Sequence, residues 1–111
     1  SLTMLATLVT ETGLAMDDVV ASEISAAATM ELTLDAHAAG ARVFPAMNIA
    51  RSGTRKEEAI LGKDEVAALA VIRQKLAGHS ALEGLQAVVK TLSSSSSNVE
   101  ALVSLQKNLG S

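Results

Sequence analysis

The sequence has no cysteine, tryptophan or tyrosine, and only one phenylalanine and one proline among its 111 residues. Without cysteine the chain can form no disulfide, no thiolate zinc site and no cysteine nucleophile, and this absence fits a reducing cytosol, so we expect a cytoplasmic protein. A core with a single aromatic side chain must be built from alanine, leucine, valine, isoleucine and methionine. At this length we expect one structural unit that buries about two thirds of the surface of its unfolded chain.

Membrane contact and general nucleic-acid binding are also disfavoured by what is missing. No apolar run approaches the roughly 18 to 20 residues that span a bilayer, and there is no basic and apolar leader of the secretory kind. The net charge is -3, which is the wrong sign for a protein that binds nucleic acids by neutralising phosphates over a broad surface. Any contact with RNA must therefore be local.

Several motifs of catalytic sites are absent as well. There is no GxxxxGK[ST] phosphate loop, no strand ending in an Asp that would hold Mg²⁺, and no Gly-x-Ser-x-Gly elbow. His37 and His79 have no acidic or histidine partners at ligand spacing, so we expect both to face solvent and we expect no metal site. Glu31 and the Asp17-Asp18 pair are interpreted as a strand's wet face and a helix N-terminus rather than as catalytic acids.

In the first half of the chain, short strand patterns alternate with short helix patterns. Residues 1–9 carry apolar side chains on both faces, which predicts a central strand covered on both sides. A helix is expected next, capped by Asp17 or Asp18 and running to about Ala28. Alternation then predicts a strand over 30–35 with its apolar residues inward, followed by a short helical turn between a cap at Asp35 and Gly40 at C′. The inward residues of that strand are Met30, Leu32 and Leu34.

The stretch from Arg42 to Glu58 concentrates chemistry that is rare elsewhere. It holds the only proline, the only phenylalanine and four of the nine basic residues. Residues 43–47 predict a short strand at an edge or a bulge, because Pro45 has no N–H for a ladder. Residues 52–54 predict a turn in which Gly53 takes a positive φ. This turn would present Arg51, Arg55 and Lys56 on a loop, where cations suit anionic oxygens.

The second half predicts three helices and no internal repeat. The first is expected over residues 63–77, with Asp64 as its N-cap and Gly78 as its stop. Two Ser-x-x-Glu capping boxes, which begin at Ser80 and at Ser97, predict the starts of the other two helices. The five serines of residues 93–97 lie between them and predict a flexible hinge with no chemistry of its own.

Five short strings carry a resemblance to a known family. They are SLTMLAT at residues 1–7, ETG at 11–13, MEL at 30–32, VFPA at 43–46 and RSGTRKEE at 51–58. Together they resemble the Rho family of bacterial transcription termination factors, without gaps to about Leu61, beyond which only helical character persists. The resemblance implies an α/β fold in which residues 1–61 form the C-terminal part of a RecA-like P-loop ATPase core. Residues 62–111 would be a helical C-terminal segment packed on it.

The resemblance also implies a function. Such a protein would be an ATP-dependent RNA helicase, a homo-hexameric ring that uses ATP with Mg²⁺ to move along RNA and to release transcripts from the RNA polymerase transcription complex. ATP would be bound mainly by parts that this chain lacks, so the chain alone is expected to have no ATPase activity. The alternative is a non-enzymatic α+β interaction module that kept the fold of a Rho-like domain.

Three side chains stand at positions with a role in the family. The resemblance places at Arg55 the arginine finger that reaches the γ-phosphate of ATP on the neighbouring subunit. It places a second arginine of the subunit interface at Arg42, and at Phe44 the aromatic that stacks on adenine. The residues alone also allow Arg55 to be a solvated charge paired with Glu57 or Glu58. They likewise allow Arg42 to be an exposed strand-end charge and Phe44 to be a core side chain.

The chain departs from the family at the loop that the resemblance assigns to RNA contact in the central pore. Where the family has Lys-Gly-Thr-Gly-Asn, this chain has Ser25, Ala26, Ala27, Ala28 and Thr29. A cation and the flexible glycines beside it are both lost. Two explanations stay open, namely neutral drift or deliberate mutation on one side and a paralogue with altered handling of RNA on the other.

Overall fold

The fold consists of short helices and a small antiparallel ribbon, followed by three longer helices. The computed structural model describes residues 1–109. Its elements are α1 Ala15–Ala27, β1 Met30–Glu31, α2 Ala36–Gly40, β2 Gly53–Thr54, a 3₁₀ helix Glu57–Ala59, α3 Lys63–Leu76, α4 Ala81–Ser94 and α5 Asn98–Asn108. The mixed α and β character expected from the sequence is confirmed, with strand content limited to one pair of two-residue strands in the described part of the chain. In residues 1–109 no helix has the length and apolarity to cross a membrane.

The hydrophobic core lies among the last three helices. Ile72, Leu105 and Leu109 form its centre, and Leu85 of α4 is 1% exposed. These apolar side chains recur at helical spacing, so each helix turns one stripe inward. Helices α3–α5 therefore pack together as the best-buried part of the molecule.

The first sixty residues, in contrast, bury almost nothing. Ala38 is their only buried residue, and most of the large apolar side chains that are exposed belong to this half. The accessible surface is 8337 Å², against about 5,800 Å² for a compact monomer of this mass. The expectation that two thirds of the surface would be buried is thus wrong, since the fraction is about half.

The strand expected over residues 1–9 is absent. This segment has no secondary structure and its side chains are exposed, Leu5 completely so. A strand needs a neighbour that accepts and donates its ladder hydrogen bonds, and no other segment of residues 1–109 pairs with it. Gly13, shortly before α1, has a φ of +80°.

Helix α1 occupies the expected residues but begins differently. Its N-cap is Leu14, which offers no side-chain bond, and the two aspartates lie in its first turn. Asp17 there accepts a hydrogen bond of 2.6 Å from the Thr12 hydroxyl. Carboxylates in a first turn are favoured by the positive end of the helix dipole, so the aspartates support the helix without capping it.

The ribbon pairs residues 30–35 with residues 46–54. Met30 lies opposite Thr54 in the antiparallel pair β1 and β2, and Leu34 forms an isolated bridge with Met47. The predicted direction of the side chains is wrong, because Met30, Leu32 and Leu34 are exposed while Thr33 and Asp35 are half-buried. The Thr33 side chain turns toward the partner segment, where its hydroxyl donates a hydrogen bond of 3.0 Å to the Arg51 carbonyl oxygen.

Helix α2 ends in a left-handed residue that is not glycine. Asp35 caps its start as expected, accepting a 2.9 Å bond from the His37 amide. Gly40 is not at C′ as predicted, since the left-handed position belongs to Arg42, with φ +60°. The Val43 amide bonds Ala38 O and the Arg42 amide bonds Ala39 O, each at 3.0 Å, which is the Schellman pattern.

Residues 43–47 do not form the predicted strand. The Phe44–Pro45 peptide is cis, and Met47 makes the only strand-like pairing of the segment. Pro45 supplies no N–H, so a regular ladder cannot pass through it. The turn expected over residues 52–54 is also wrong, because Gly53 lies in β2 and the left-handed residue nearby is Lys56, with φ +51°.

The caps of α3 and α4 are built in two ways. Asp64 is not the N-cap of α3; Gly62 is, and the Glu65 carboxylate accepts a 2.8 Å bond from the Gly62 amide. At α4 the predicted capping box is confirmed, with Ser80 Oγ accepting from the Glu83 amide and Glu83 accepting from the Ser80 amide, both at 3.2 Å.

The run of five serines connects α4 to α5 and is hydrogen-bonded along its length, while the expected flexibility of this hinge stays a prediction. Ser93 and Ser94 end α4, and Ser97 is the N-cap of α5. The Ser97 hydroxyl accepts from the Glu100 amide, but the Glu100 carboxylate bonds Ser96 instead of closing the predicted box. The hydroxyls of residues 93–95 donate to carbonyls one turn back, in each case within α4. Every serine of the run therefore has a fixed partner.

Candidate functional site

The two arginines of the RSGTRKEE string, Arg51 and Arg55, line a groove on the surface, and Arg55 also contacts the end of α1. The groove has a volume of about 300 Å³ and is lined by Arg51, Arg55 and Arg73 together with Glu31 and the residues of β2. Arg51 and Arg55 come from the ribbon, and Arg73 comes from the last turn of α3. Guanidinium groups that share a groove are suited to bind an anion with several oxygens, such as a phosphate.

Arg55 donates to the C-terminal end of α1. Its Nη1 lies 2.8 Å from the carbonyl oxygen of Ala26 and its Nη2 lies 3.0 Å from that of Ser25. The last carbonyls of a helix lack partners within the helix and carry the negative end of its dipole. No basic residue lies in the last turn of α1 itself, so Arg55 supplies that positive charge from 29 residues away.

The structure therefore places Arg55 next to residues 25–29, although the two lie far apart in the sequence. The substituted positions 25–29 lie beside Arg55, whose amide also donates to Thr29 O at 2.8 Å. Helix α1 continues through Ala27, and the Ser25 hydroxyl donates to Glu31. Alanine favours helix where glycine would favour a loop, which explains why the helix reaches this far. The partner expected from the sequence alone, Glu57 or Glu58, is not the partner of Arg55.

Arg51 and Arg73 each pair with a carboxylate. Arg51 lies 3.3 Å from Glu11, and both side chains are exposed, so this ion pair contributes little stability. Arg73 binds Glu57 through both of its Nη atoms, at 2.7 and 2.8 Å. These hydrogen bonds lower the pKa of the Glu57 carboxyl and raise the pKa of Arg73. Arg55 is the groove arginine with no carboxylate partner within residues 1–109.

Arg42 and Phe44 lie on the loop that follows α2. Phe44 is 58% exposed, so the interpretation of it as a core side chain is wrong. Arg42 is exposed and is held at a left-handed backbone position that normally favours glycine. Neither residue lines the groove of Arg55, and their expected roles at a nucleotide stay predictions.

A second cavity was not foreseen from the sequence. It has a volume of about 390 Å³ and lies where residues 48–52 face the turn between α3 and α4. Leu76 and Leu85 line its apolar side, and Arg73 and His79 line its polar side. The walls are formed by segments far apart in the chain, and no local pattern could have indicated their contact.

Both histidines are exposed, as expected. Within residues 1–109 there is no group of three or more His, Cys, Asp or Glu side chains that could hold a metal ion. The donors near Arg55 are guanidinium, amide and hydroxyl groups. These donors suit the oxygens of a phosphate, and Glu31 adds one carboxylate to the lining of the same groove.

Comparison with known proteins gives relatives along nearly the whole chain. No family model matches. The chain is 41% identical over 98 residues to transcription termination factor Rho of Borreliella burgdorferi, covering 88% of the chain and 19% of that protein. It is 40% identical over 112 residues to the Rho protein of Micrococcus luteus, covering 100% of the chain and 16% of the relative. For Thermotoga maritima Rho the identity is 39% over 107 residues, covering 96% and 25%.

These relatives confirm the resemblance inferred from the short strings and correct its extent. An alignment of 98 residues or more necessarily continues beyond Leu61, so the limit expected at that residue is wrong. The chain spans a quarter or less of the length of these three relatives.

Proposed function

We propose that this chain, which is homologous to a part of transcription termination factor Rho, works as one section of a ring-shaped, ATP-driven RNA translocase in the bacterial cytoplasm. In this proposal the complete ring is a homo-hexamer that acts on RNA and on the RNA polymerase transcription complex. The chain contributes the C-terminal part of the RecA-like ATPase core and the helices that follow it. Arg55 is its arginine finger, acting on ATP bound with Mg²⁺ by the neighbouring subunit.

The observation that carries the proposal is the bonding of Arg55. Its guanidinium faces two carbonyl oxygens and has no carboxylate partner in residues 1–109. A guanidinium that is paired with a carboxylate is already neutralised, whereas one that bonds carbonyl dipoles keeps its full charge. Arg55 is therefore the groove arginine that can turn to a phosphate without leaving a carboxylate unpaired.

The chemistry that Arg55 supplies is stabilisation of charge. ATP hydrolysis spreads negative charge over the oxygens of the transferred phosphoryl group, and a planar guanidinium can bond two of those oxygens at once. Arg51 and Thr54 line the same groove and orient a phosphate there, whereas the Ser52 hydroxyl is already bonded to the Asn48 carbonyl. The metal ion and the phosphate cradle come from residues that this chain does not provide.

The exposure of Phe44 supports a role for its ring. An exposed aromatic ring leaves its face available to stack on a base, and such stacking is worth about 1 kcal/mol. In the proposal Phe44 stacks on adenine, and Arg42, two residues before it, contacts the adjoining subunit.

The same proposal gives residues 25–29 an altered function toward RNA. Helix α1 runs through Ala27, and the carbonyls of Ser25 and Ala26 bond Arg55. A segment without a cation or glycine cannot follow a phosphate backbone as a mobile basic loop does. We infer that RNA stimulates this protein less than it would with a Lys and two glycines in this segment.

The experiment that tests the finger is Arg55→Ala in the assembled, RNA-dependent ATPase that contains this chain. Because the finger acts mainly in the transition state, kcat should fall about a thousandfold or more while the affinity for ATP changes little. Arg55→Lys should rescue poorly, since an ammonium lacks the planar fork. Lys107→Ala removes a charge from an exposed position on α5 and serves as the control with unchanged kcat.

Mixing subunits tests whether Arg55 acts on a neighbour. Arg55→Ala protein mixed with protein disabled in its phosphate loop should regain part of the activity, because some interfaces then carry both intact parts. Near-normal kcat in Arg55→Ala would refute the finger, whereas an unmodified assembly without ATPase activity would favour the non-enzymatic interaction module.

A further inference from the structure

The bond between Glu57 and Arg73 anchors the segment that carries Arg55. It is bidentate, with oxygen to nitrogen distances of 2.7 and 2.8 Å, and it joins the ribbon side of the molecule to α3. The Glu57 side chain is 18% exposed and that of Arg73 48% exposed. A bidentate pair of this kind fixes orientation as well as distance. Glu57 is only two residues from Arg55, so the orientation of one constrains the other.

Lys56 lies between these two residues in the left-handed conformation, with φ 51° and ψ 48°. This reversal lets Arg55 point to α1 and Glu57 point to α3. A non-glycine residue keeps such a backbone conformation only where its surroundings hold it. Two sets of bonds do so, the Arg55 amide to Thr29 O on one side and the Arg73 fork on Glu57 on the other.

We propose that Arg73 is a positioning residue for Arg55, acting through Glu57 to fix the backbone of residues 55–57. The effect on ATP hydrolysis rests on the proposed function, whereas the positioning of residues 55–57 by Arg73 does not. Arg73 lies within the helical segment, so that segment would control the aim of the arginine finger. Lysine cannot replace Arg73 fully, because one ammonium does not span both carboxylate oxygens in the fixed fork geometry.

The first test measures amide hydrogen exchange in the chain with Arg73→Lys and with Glu57→Gln. The Arg55 amide bonds Thr29 O and the Leu61 amide bonds Glu57 O, so both should exchange about ten times faster in either variant if the anchor opens locally. The double variant should exchange no faster than the single ones, since the two substitutions break one interaction. The Gly84 amide, which bonds Ser80 O in α4, reports on the helices and should not change.

Lys63→Ala is the matched control. It removes a positive charge from the same helix, at an exposed position without an ion pair in residues 1–109. Its exchange rates at Arg55 and Leu61 should equal those of the unmodified chain. Unchanged exchange at Arg55 in Arg73→Lys would overturn the inference. Equal acceleration at Gly84 would also overturn it, because Arg73 would then merely stabilise the helices.

The second test measures ATP hydrolysis by the assembled enzyme. Misplacing the finger should lower kcat about 10- to 100-fold in Arg73→Lys while KM for ATP stays the same. In an Arg55→Ala background the same substitution should cause no further loss. A further loss in that background would mean that Arg73 acts independently of Arg55, which contradicts the inference. If Arg55→Ala alone leaves kcat unchanged while the exchange result holds, the finger is refuted and the anchoring of residues 55–57 stands.

Discussion

The two serines at opposite ends of α4 allow the capping of that helix to be tested with one kind of substitution. Ser80 and Ser93 are both exposed, and replacing either with alanine deletes the same hydroxyl. Ser80 Oγ accepts a bond of 3.2 Å from the Glu83 amide at the helix start. Ser93 Oγ donates a bond of 2.8 Å to Val89 O within the last turn. We expect the two substitutions to change stability in opposite directions.

The magnitudes follow from what each hydroxyl replaces. The Glu83 amide is one of the first four of the helix and has no backbone acceptor, so losing its cap in Ser80→Ala should destabilise the chain by about 1 kcal/mol. The Val89 carbonyl keeps its helical backbone bond in Ser93→Ala, and alanine has the higher helix propensity, so this variant should gain up to about 0.5 kcal/mol. The two variants should therefore differ by about 1.5 kcal/mol.

Urea and thermal unfolding followed by circular dichroism measure this difference. A loss of about 1 kcal/mol should lower Tm by roughly 4–8 °C in a domain of this size. Stability changes of the same sign in the two variants would refute the reasoning, because the position of the hydroxyl relative to the helix end would then not matter. A Ser80→Ala variant as stable as the unmodified chain would show that the Glu83 amide is satisfied by water alone.

Two further predictions concern the loop after α2 and the response to acid. Arg42→Gly should slow hydrogen exchange of the Val43 amide about fivefold, because glycine avoids a strain of about 1 kcal/mol at φ +60°. The control Ala41→Gly should speed this exchange. Equal exchange rates of the Val43 amide in the two variants would contradict the prediction. The pKa values of Glu57 and Glu100 are lowered in the folded chain, chiefly by hydrogen bonds from Arg73 and Ser96 respectively. The stability that these two carboxylates contribute is therefore complete above their ordinary pKa of about 4.5. It is lost as the pH falls through their lowered pKa values in the folded chain. Urea midpoints should thus fall less between about pH 6 and pH 3 in Glu57→Gln/Glu100→Gln than in the unmodified chain, and an identical fall would contradict the assignment.

The helices of the second half could be predicted because their signals are local. Helix α3 was expected over residues 63–77 and occupies Lys63–Leu76. The capping box at the start of α4 is predicted from two residues three positions apart, Ser80 and Glu83. The N-cap of α3 was missed because Gly62 has no side-chain acceptor, and the Glu65 carboxylate satisfies its amide instead. A glycine N-cap gives a weaker sequence signal than Ser, Thr, Asp or Asn, because it has no side-chain oxygen.

Strand pairing and side-chain direction could not be predicted in the same way. The alternation of residues 30–35 gives two faces, but which face is buried depends on the segment that packs there. That segment begins with Ala46 and ends with Thr54, and the Thr33 hydroxyl bonds the carbonyl of Arg51 within it. The apolar face is left exposed because nothing in residues 1–109 covers it. Alternation therefore predicts a strand without predicting its orientation.

The candidate site was located by its resemblance to a family and not by its local chemistry. RSGTRKEE pointed to Arg55, yet its bonding partners are the carbonyls of Ser25 and Ala26. Backbone oxygens are present at every residue, so no pattern of letters indicates which of them will meet a side chain 30 positions away. The pairing of Glu57 with Arg73 was missed for a related reason, since any of several charged residues could have provided the partner.

The serine run has a consequence for how this chain can change in length. Only residues 95–97 separate α4 from α5, and their hydroxyls and amides are bonded to the helices on either side. One inserted serine that extended α4 would turn the following chain by about 100° around the helix axis. Leu105 and Leu109 of the core would then face away from Ile72. An insertion that lengthens α4 should therefore be tolerated less well than substitutions at the exposed positions of this serine connection.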